Sequence, residues 1–408
     1  QSQQNSNSLQ SQQNLSPPQS PTHSPTPQIE ANTSSSTNSI THSTPKKKRR
    51  RGSFPFVKPE FIPHWPSVER LATIGRHIDT TFQQLRPPPS DLGQKLMLVS
   101  RLEQIFQENW PALNVRLQLF GSSANDFCLK RGDIDMCLTL DEPNDFEKSD
   151  FVLELGELLE HNQMEKVLVL HKARIPIVKF QDPSSAFNCD ICINNTLALR
   201  NTTMLHEYAK IDPRMRKLVY IIKHWAKQRD LNDPYHGSLS SYAYVLMIVC
   251  FLQTRQPPIL PCLQEMGRPP EGLGAGSSSK RSRTMTMEGF DVYFFENTPQ
   301  LIGFGRQNRQ TVADLLVGFF KFFGHEFDFA TKVISVRKGG FIEKEEKKWI
   351  KNKARLYYWF CIEDPFEVTH NLGKSVGRRP YTTLIHEFRR AYRILATRGN
   401  LRLTTTQR

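Results

Sequence analysis

Asp133 and Asp135, in Gly132-Asp133-Ile134-Asp135-Met136, are the residues whose type and spacing speak first of chemistry. Successive side chains on a strand point to opposite faces, so the two carboxylates share one face while Ile134 and Met136 take the other. Side by side they repel unless a cation sits between them. A hard divalent ion such as Mg²⁺ (or Mn²⁺) wants such oxygen ligands and keeps positions free for substrate phosphates. Upstream, the small-residue turn Gly121-Ser122 can bring backbone N–H groups and a hydroxyl close to those phosphates. Alone, an Asp-x-Asp pair is weak, since it also occurs in sugar-nucleotide glycosyltransferases and in idle surface loops. Asp190 narrows the choice. It lies in Asn188-Cys189-Asp190-Ile191-Cys192-Ile193, where an unpaired buried carboxylate would be costly, and joining the other two around metal accounts for it. Two ions so held can activate a hydroxyl and stabilise a leaving pyrophosphate. Lys223 and Lys227, one helical turn apart, suit a triphosphate, although a solvated helix face is the plainer role for such a pair.

The elements that must carry these residues follow from periodicity. A helix is expected over 91–110 with Leu92, Leu96, Val99, Leu102 and Phe106 as its apolar stripe. Strands are expected at 114–119, 134–140, 167–169, 175–180 and 189–193, with a helix capped by Asp150 running to about Glu160. Strands interrupted by helices argue for an α/β domain with a mixed sheet. Beyond Leu197 the pattern turns helical. The helix 214–230 has Leu218, Ile221, Ile222 and Trp225 on one stripe and Lys223 and Lys227 on another face. An apolar helix follows over 242–253. Thr311 to Asp314 forms a capping box before a helix ended by Gly324, and a last helix over 381–396 carries Arg389, Arg390 and Arg393. The expected organisation is a disordered tail with a basic run (1–62), a catalytic domain (63–197) whose N-terminal helix packs in part on the second domain, a helical domain (198–398) with a flexible insertion (267–289), and a basic C-terminal tail (399–408).

Composition bounds the partner. The chain has 54 Lys+Arg against 40 Asp+Glu, a net charge of +14, which favours an anionic partner, and nucleic acid above a membrane. The longest apolar run, 242–252, is too short to span a bilayer. Seven cysteines without clustering point to reduced thiols. Cys189-x-x-Cys192 is no zinc half-site, because residues three apart on a strand face opposite sides. The run Pro45 to Arg51 fits a nuclear-import signal, an RNA-contacting arm or a solvated linker.

Gly121-Ser122, Asp133-x-Asp135 and Asp190 resemble the signature of the DNA polymerase β nucleotidyltransferase superfamily. Within it the chain resembles the terminal uridylyltransferases, poly(A)-polymerase-like enzymes that add nucleotides to RNA 3′ ends. The likeness spans 113–397 and includes Cys189-Asp190-Ile191 with Asn194-Asn195, Lys223 to Lys227, Gly237 to Tyr242, and Ile362 to Phe366. The resemblance implies a nucleotidyltransferase domain followed by a poly(A)-polymerase-associated helical domain, Mg²⁺ or Mn²⁺, UTP and RNA 3′ ends as substrates, and no membrane. It implies metal ligation by Asp133, Asp135 and Asp190. It implies triphosphate contacts from Gly121, Ser122, Lys223, Lys227 and Ser241, a ribose side lined by Ala198, Asn201 and Thr202, and base stacking on Tyr242. His370, with Asp364 and Glu367, would favour uracil over the larger adenine. RNA contact would come from the basic surface, with help from the tail and the Arg-rich C-terminus, and the tail could recruit protein partners. A cytoplasmic place fits the tailing chemistry, and the basic run also fits a nuclear one. The rival readings are an RNA adenylyltransferase with the same mechanism and a silent RNA-binding scaffold.

Overall fold

The computed structural model describes residues 60–142, 146–267, 285–349 and 358–406. The readings of the tail before residue 60, with its basic run, and of most of the 267–289 insertion lie outside the described residues. One sheet has the order β1-β2-β5-β4-β3, from β1 (Arg116–Phe120), β2 (Ile134–Thr139), β3 (Glu165–Leu170), β4 (Ile177–Gln181) and β5 (Asn188–Ile193). β2 and β5 run parallel and the other neighbours antiparallel, giving the mixed sheet expected. Alternation along the strands then fixes two faces. Ile134, Met136, Leu138, Cys189, Ile191 and Val178 pack into one core with α2 (Asp91–Asn109) and α3 (Lys148–His161). The opposite face carries Asp135, Asp190 and Lys179.

A second core is helical. It is built from α1 (Val68–Leu85), α4 (Thr196–Ile211), α5 (Pro213–Gln228), α6 (Ser241–Gln253), α7 (Val312–Lys321) and α8 (Arg378–Arg398). α6 is buried on almost every side, which its unbroken apolar run requires, and Ser240 caps it by accepting from the Ala243 N–H at 3.1 Å. Phe127, in the loop between β1 and β2, inserts its ring into this helical core and so ties the sheet's active edge to it.

Several expectations need correction. On α2, Leu92 and Leu96 are 54% and 52% exposed, and the buried set is Lys95, Leu98, Val99, Leu102 and Phe106. Leu92 and Leu96 lie on the helix's open side, while Lys95, 2% exposed, is kept inside by Asp91 at 2.8 Å and the Cys128 thiol at 3.1 Å. Asp150 lies in the first turn of α3 rather than at its cap, which is Glu147. After α7 the chain continues as a wide π turn, Phe322–Glu326, because Gly324 packs against the Arg389 backbone of α8. The helical region also holds an antiparallel hairpin, β8 (Lys332–Ser335) and β9 (Gly340–Glu343), after a two-residue pair β6 (Thr286–Met287) and β7 (Phe290–Asp291). Within the 399–408 tail, α9 (Arg402–Thr405) is helical and packs on α8 and α5.

Candidate active site

Strand register builds the acidic centre. Phe120 stands opposite Asp135, Asp135 opposite Asp190, and Asp190 opposite Lys179, one row across β1, β2, β5 and β4. Asp133 precedes β2 on the same face. At the end of β1 the chain turns through Gly121–Ser123, with Gly121 at φ +62°. A Cβ there would stand 2.7 Å from Oδ2 of Asp135, so glycine is required both by the backbone and by the carboxylate. The Gly121 N–H donates to Thr202 Oγ1 at 2.8 Å, and that hydroxyl donates to the Ala198 carbonyl at 2.7 Å. Thr202 therefore braces the Gly-Ser turn from α4. Ala198 lies in the first turn of α4, where Asn195 caps its N–H, while the side-chain oxygen of buried Asn201 has no partner among the described residues.

Asp135 is half-buried and its carboxyl is pushed up to about 7, first by desolvation, then by Asp190 and Asp133; Lys223 and Lys179 oppose the rise. Carboxylates this close oppose one another's ionisation, and a hard divalent ion among oxygen donors fits them. Among the described residues no three His, Cys, Asp or Glu side chains already converge as a metal-holding group. Asp190 gives Oδ2 to an ion pair with Lys179, and Asp133 accepts from Asn188 Nδ2 at 3.4 Å.

Lys223 is no solvated lysine. It is 8% exposed and donates from Nζ to the Phe127 carbonyl at 2.8 Å. Burial pulls its pKa down to about 8. Lys227, one turn on, lines a cavity of about 570 Å³ together with Asn232, His236 and Arg379. Asn232 also accepts from the Ser241 hydroxyl at 2.9 Å.

The base-side residues form a second cluster. Tyr242 donates to Asp364 Oδ2 at 3.1 Å, and Oδ1 of Asp364 accepts from the N–H groups of Phe366 and Glu367, each at 3.0 Å. The His370 N–H donates to the Glu367 carbonyl at 2.7 Å, closing a tight loop. Half-buried His370 has its pKa lowered, by burial first and then by Arg174, so its ring is neutral near pH 7. Glu367 forms an ion pair with Arg174, from the connection between β3 and β4. Sequence reasoning missed Arg174, Lys179 and Asn188. A lone Lys within Ile177-Val178-Lys179-Phe180 was the available signal for one of them. Of the arginines expected on the last helix, Arg389 donates to the Gly324 carbonyl and Arg390 to those of Leu403 and Thr404, while Arg393 is exposed.

Two family models match the chain: "Poly(A) RNA polymerase, mitochondrial-like, central palm domain" over 74–210 and "Cid1 family poly A polymerase" over 311–370. The chain is 36% identical over 313 residues to Poly(A) RNA polymerase cid13 of Schizosaccharomyces pombe, covering 76% of this chain and 51% of that protein. It is 33% identical over 302 residues to Terminal uridylyltransferase cid1 of the same organism, covering 70% of each. A solved structure of the Cid1 poly(U) polymerase with MgGTP, described as revealing the mechanism for UTP selectivity, superposes with a TM-score of 0.69 at 30% identity, over 82% of this chain and 98% of that one. The chain spans about half the length of the first of these relatives.

Proposed function

The chain belongs to the Cid1 family of poly(A)-polymerase-like nucleotidyltransferases, and from that premise we propose that it adds UMP from UTP to RNA 3′ ends, without a template and with release of pyrophosphate. The observation that carries the reading is the row of Asp135 and Asp190, with Asp133 beside it, facing buried Lys223. These three carboxylates would hold Mg²⁺ or Mn²⁺, which supplies the positive charge that hydroxyl activation and pyrophosphate departure need. Asp190, whose carboxyl is raised by burial, accepts the proton of the attacking 3′ hydroxyl. Ser122, Lys223, Lys227 and Ser241 seat the triphosphate. The free Asn201 oxygen accepts from a ribose hydroxyl, which favours ribonucleotides. Tyr242, its own hydroxyl fixed by Asp364, stacks on the base.

Base choice rests on His370. The loop Asp364–His370 is fixed by its own hydrogen bonds, and the neutral imidazole would disfavour the larger adenine there. Relatives named as poly(A) polymerases keep adenylyl transfer as the second reading. Labelled oligo(A) incubated with each nucleotide in turn separates them: UTP alone should extend it, and Asp190→Ala should abolish extension. Extension by Asp190→Ala would end the catalytic assignment. His370→Asn should narrow the preference for UTP over ATP by about tenfold, the scale of losing one pocket contact; an unchanged preference would remove His370 as the discriminator.

A further inference from the structure

We propose that Lys179 is a positioning residue for Asp190, holding one carboxylate oxygen so that the other is presented to the reacting groups. This rests on the reading of Asp133, Asp135 and Asp190 as the transfer site. Lys179 stands directly opposite Asp190 in the antiparallel register of β4 and β5, and its Nζ forms an ion pair with Oδ2. The lysine side chain is 40% exposed and the carboxylate 23%. An ion pair that open to water adds little to stability, so holding the fold together does not account for it. Its neighbours along β4 on the same face are Ile177 and Gln181, neither of them charged.

The other two carboxylates are also held by single neighbours. Asp133 accepts from Asn188 through Oδ1, and Asp135 lies against Gly121 with no space for a Cβ between them. Among the described residues, each outer carboxylate thus has one oxygen held by a side chain and one that is not. A carboxylate swings freely about its terminal torsion, and a nucleophile's proton acceptor must be aligned to within a fraction of an ångström. Lys179 supplies that alignment for the third carboxylate. It also brings a positive charge to the acidic row without adding a donor that competes as a metal ligand, because an ammonium has no lone pair to offer.

The test uses the full chain as wild type, Lys179→Met, Lys179→Arg and Asp190→Asn. Single-turnover UMP addition at saturating UTP and oligo(A) is measured beside the melting temperature and Mn²⁺ binding by electron paramagnetic resonance. Lys179→Met should slow addition by about 10- to 100-fold, the usual cost of removing a partner that orients a ligand. Its melting temperature and UTP KM should match wild type, and Mn²⁺ should still bind. Lys179→Arg should recover most of the rate. A wild-type rate in Lys179→Met overturns the proposal, and so does a rise in RNA KM with no change in rate, which would make Lys179 an RNA contact. Loss of rate together with a lower melting temperature or lost Mn²⁺ binding overturns it too. An active Asp190→Asn, by contrast, sinks the transfer-site reading itself, whatever Lys179 does.

Discussion

Lys223 sets the charge balance of the site, and burial sets Lys223. Taking an ammonium out of water favours its neutral form, which brings the pKa down to about 8; Cys128 and Asp135 pull it back up, while Lys227 and Lys95 push it lower. The sign is then fixed. Below about pH 8 the side chain is charged and can draw a triphosphate; above it the amine is neutral and that attraction is lost. Accordingly kcat/KM for UTP should fall above about pH 8, approaching a tenfold loss per pH unit, as a single ionisation requires. In Lys223→Met the profile should be lower throughout and lack this descending limb. A limb that survives in the variant would assign the ionisation elsewhere. Lys227, by contrast, is exposed on the wall of the open cavity.

At the scale of elements, two ion pairs of similar chemistry have different weight because of water. Arg174 and Glu367 join the β3–β4 connection to the base-side loop, but the arginine is more than half exposed, so the pair contributes at most about 1 kcal/mol. Arg229, at the end of α5, meets Glu387 of α8 through two hydrogen bonds of 2.9 Å, and both side chains are almost wholly buried. Glu387→Ala would leave a buried guanidinium without its carboxylate, which costs about 3–5 kcal/mol. Urea unfolding should show that loss as a lower midpoint, and a change under about 1 kcal/mol would mean that Arg229 finds other partners. The sheet was legible in the sequence because apolar alternation at Ile134-Asp135-Met136 and Cys189-Asp190-Ile191 fixes which face each carboxylate takes. Register was not legible: alternation gives Lys179 a face but does not say that Asp190 is its opposite number. The stripe on α2 misled because helical periodicity marks apolar positions without saying which of them find a packing partner, and Leu92 and Leu96 stay exposed. On α8 a run of positive charge does not say which arginines meet carbonyls, as Arg389 and Arg390 do, and which face solvent, as Arg378 and Arg393 do.

For the whole molecule, the imbalance of 54 Lys+Arg over 40 Asp+Glu has to be weighed against the cations already spent inside. Arg214, for instance, is absorbed by Asp212 and three backbone carbonyls, Arg389 donates to the Gly324 carbonyl of the turn after α7, and Arg390 holds the C-terminal turn. What remains exposed is distributed over the surface, including Lys166, Lys172 and Arg378, with no base-reading module among the described residues. Contacts of that kind are made to phosphates and are indifferent to sequence. They also release counterions, so binding should depend steeply on salt. With about five phosphate contacts, each contributing roughly 0.7 to the slope on a single strand, raising KCl from about 50 to about 200 mM should weaken RNA binding about a hundredfold. On the proposed reading base choice should not move, because Tyr242, Asp364 and His370 are buried or half-buried, and contacts made there would be poorly screened by salt. Fluorescence anisotropy on oligo(A) and oligo(C), beside UTP-against-ATP competition at each salt, separates the two effects. A flat salt response, or a large difference between the two RNAs, would mean that bases rather than phosphates are being read; a UTP preference that fell with salt would place base selection on the exposed surface instead of at His370.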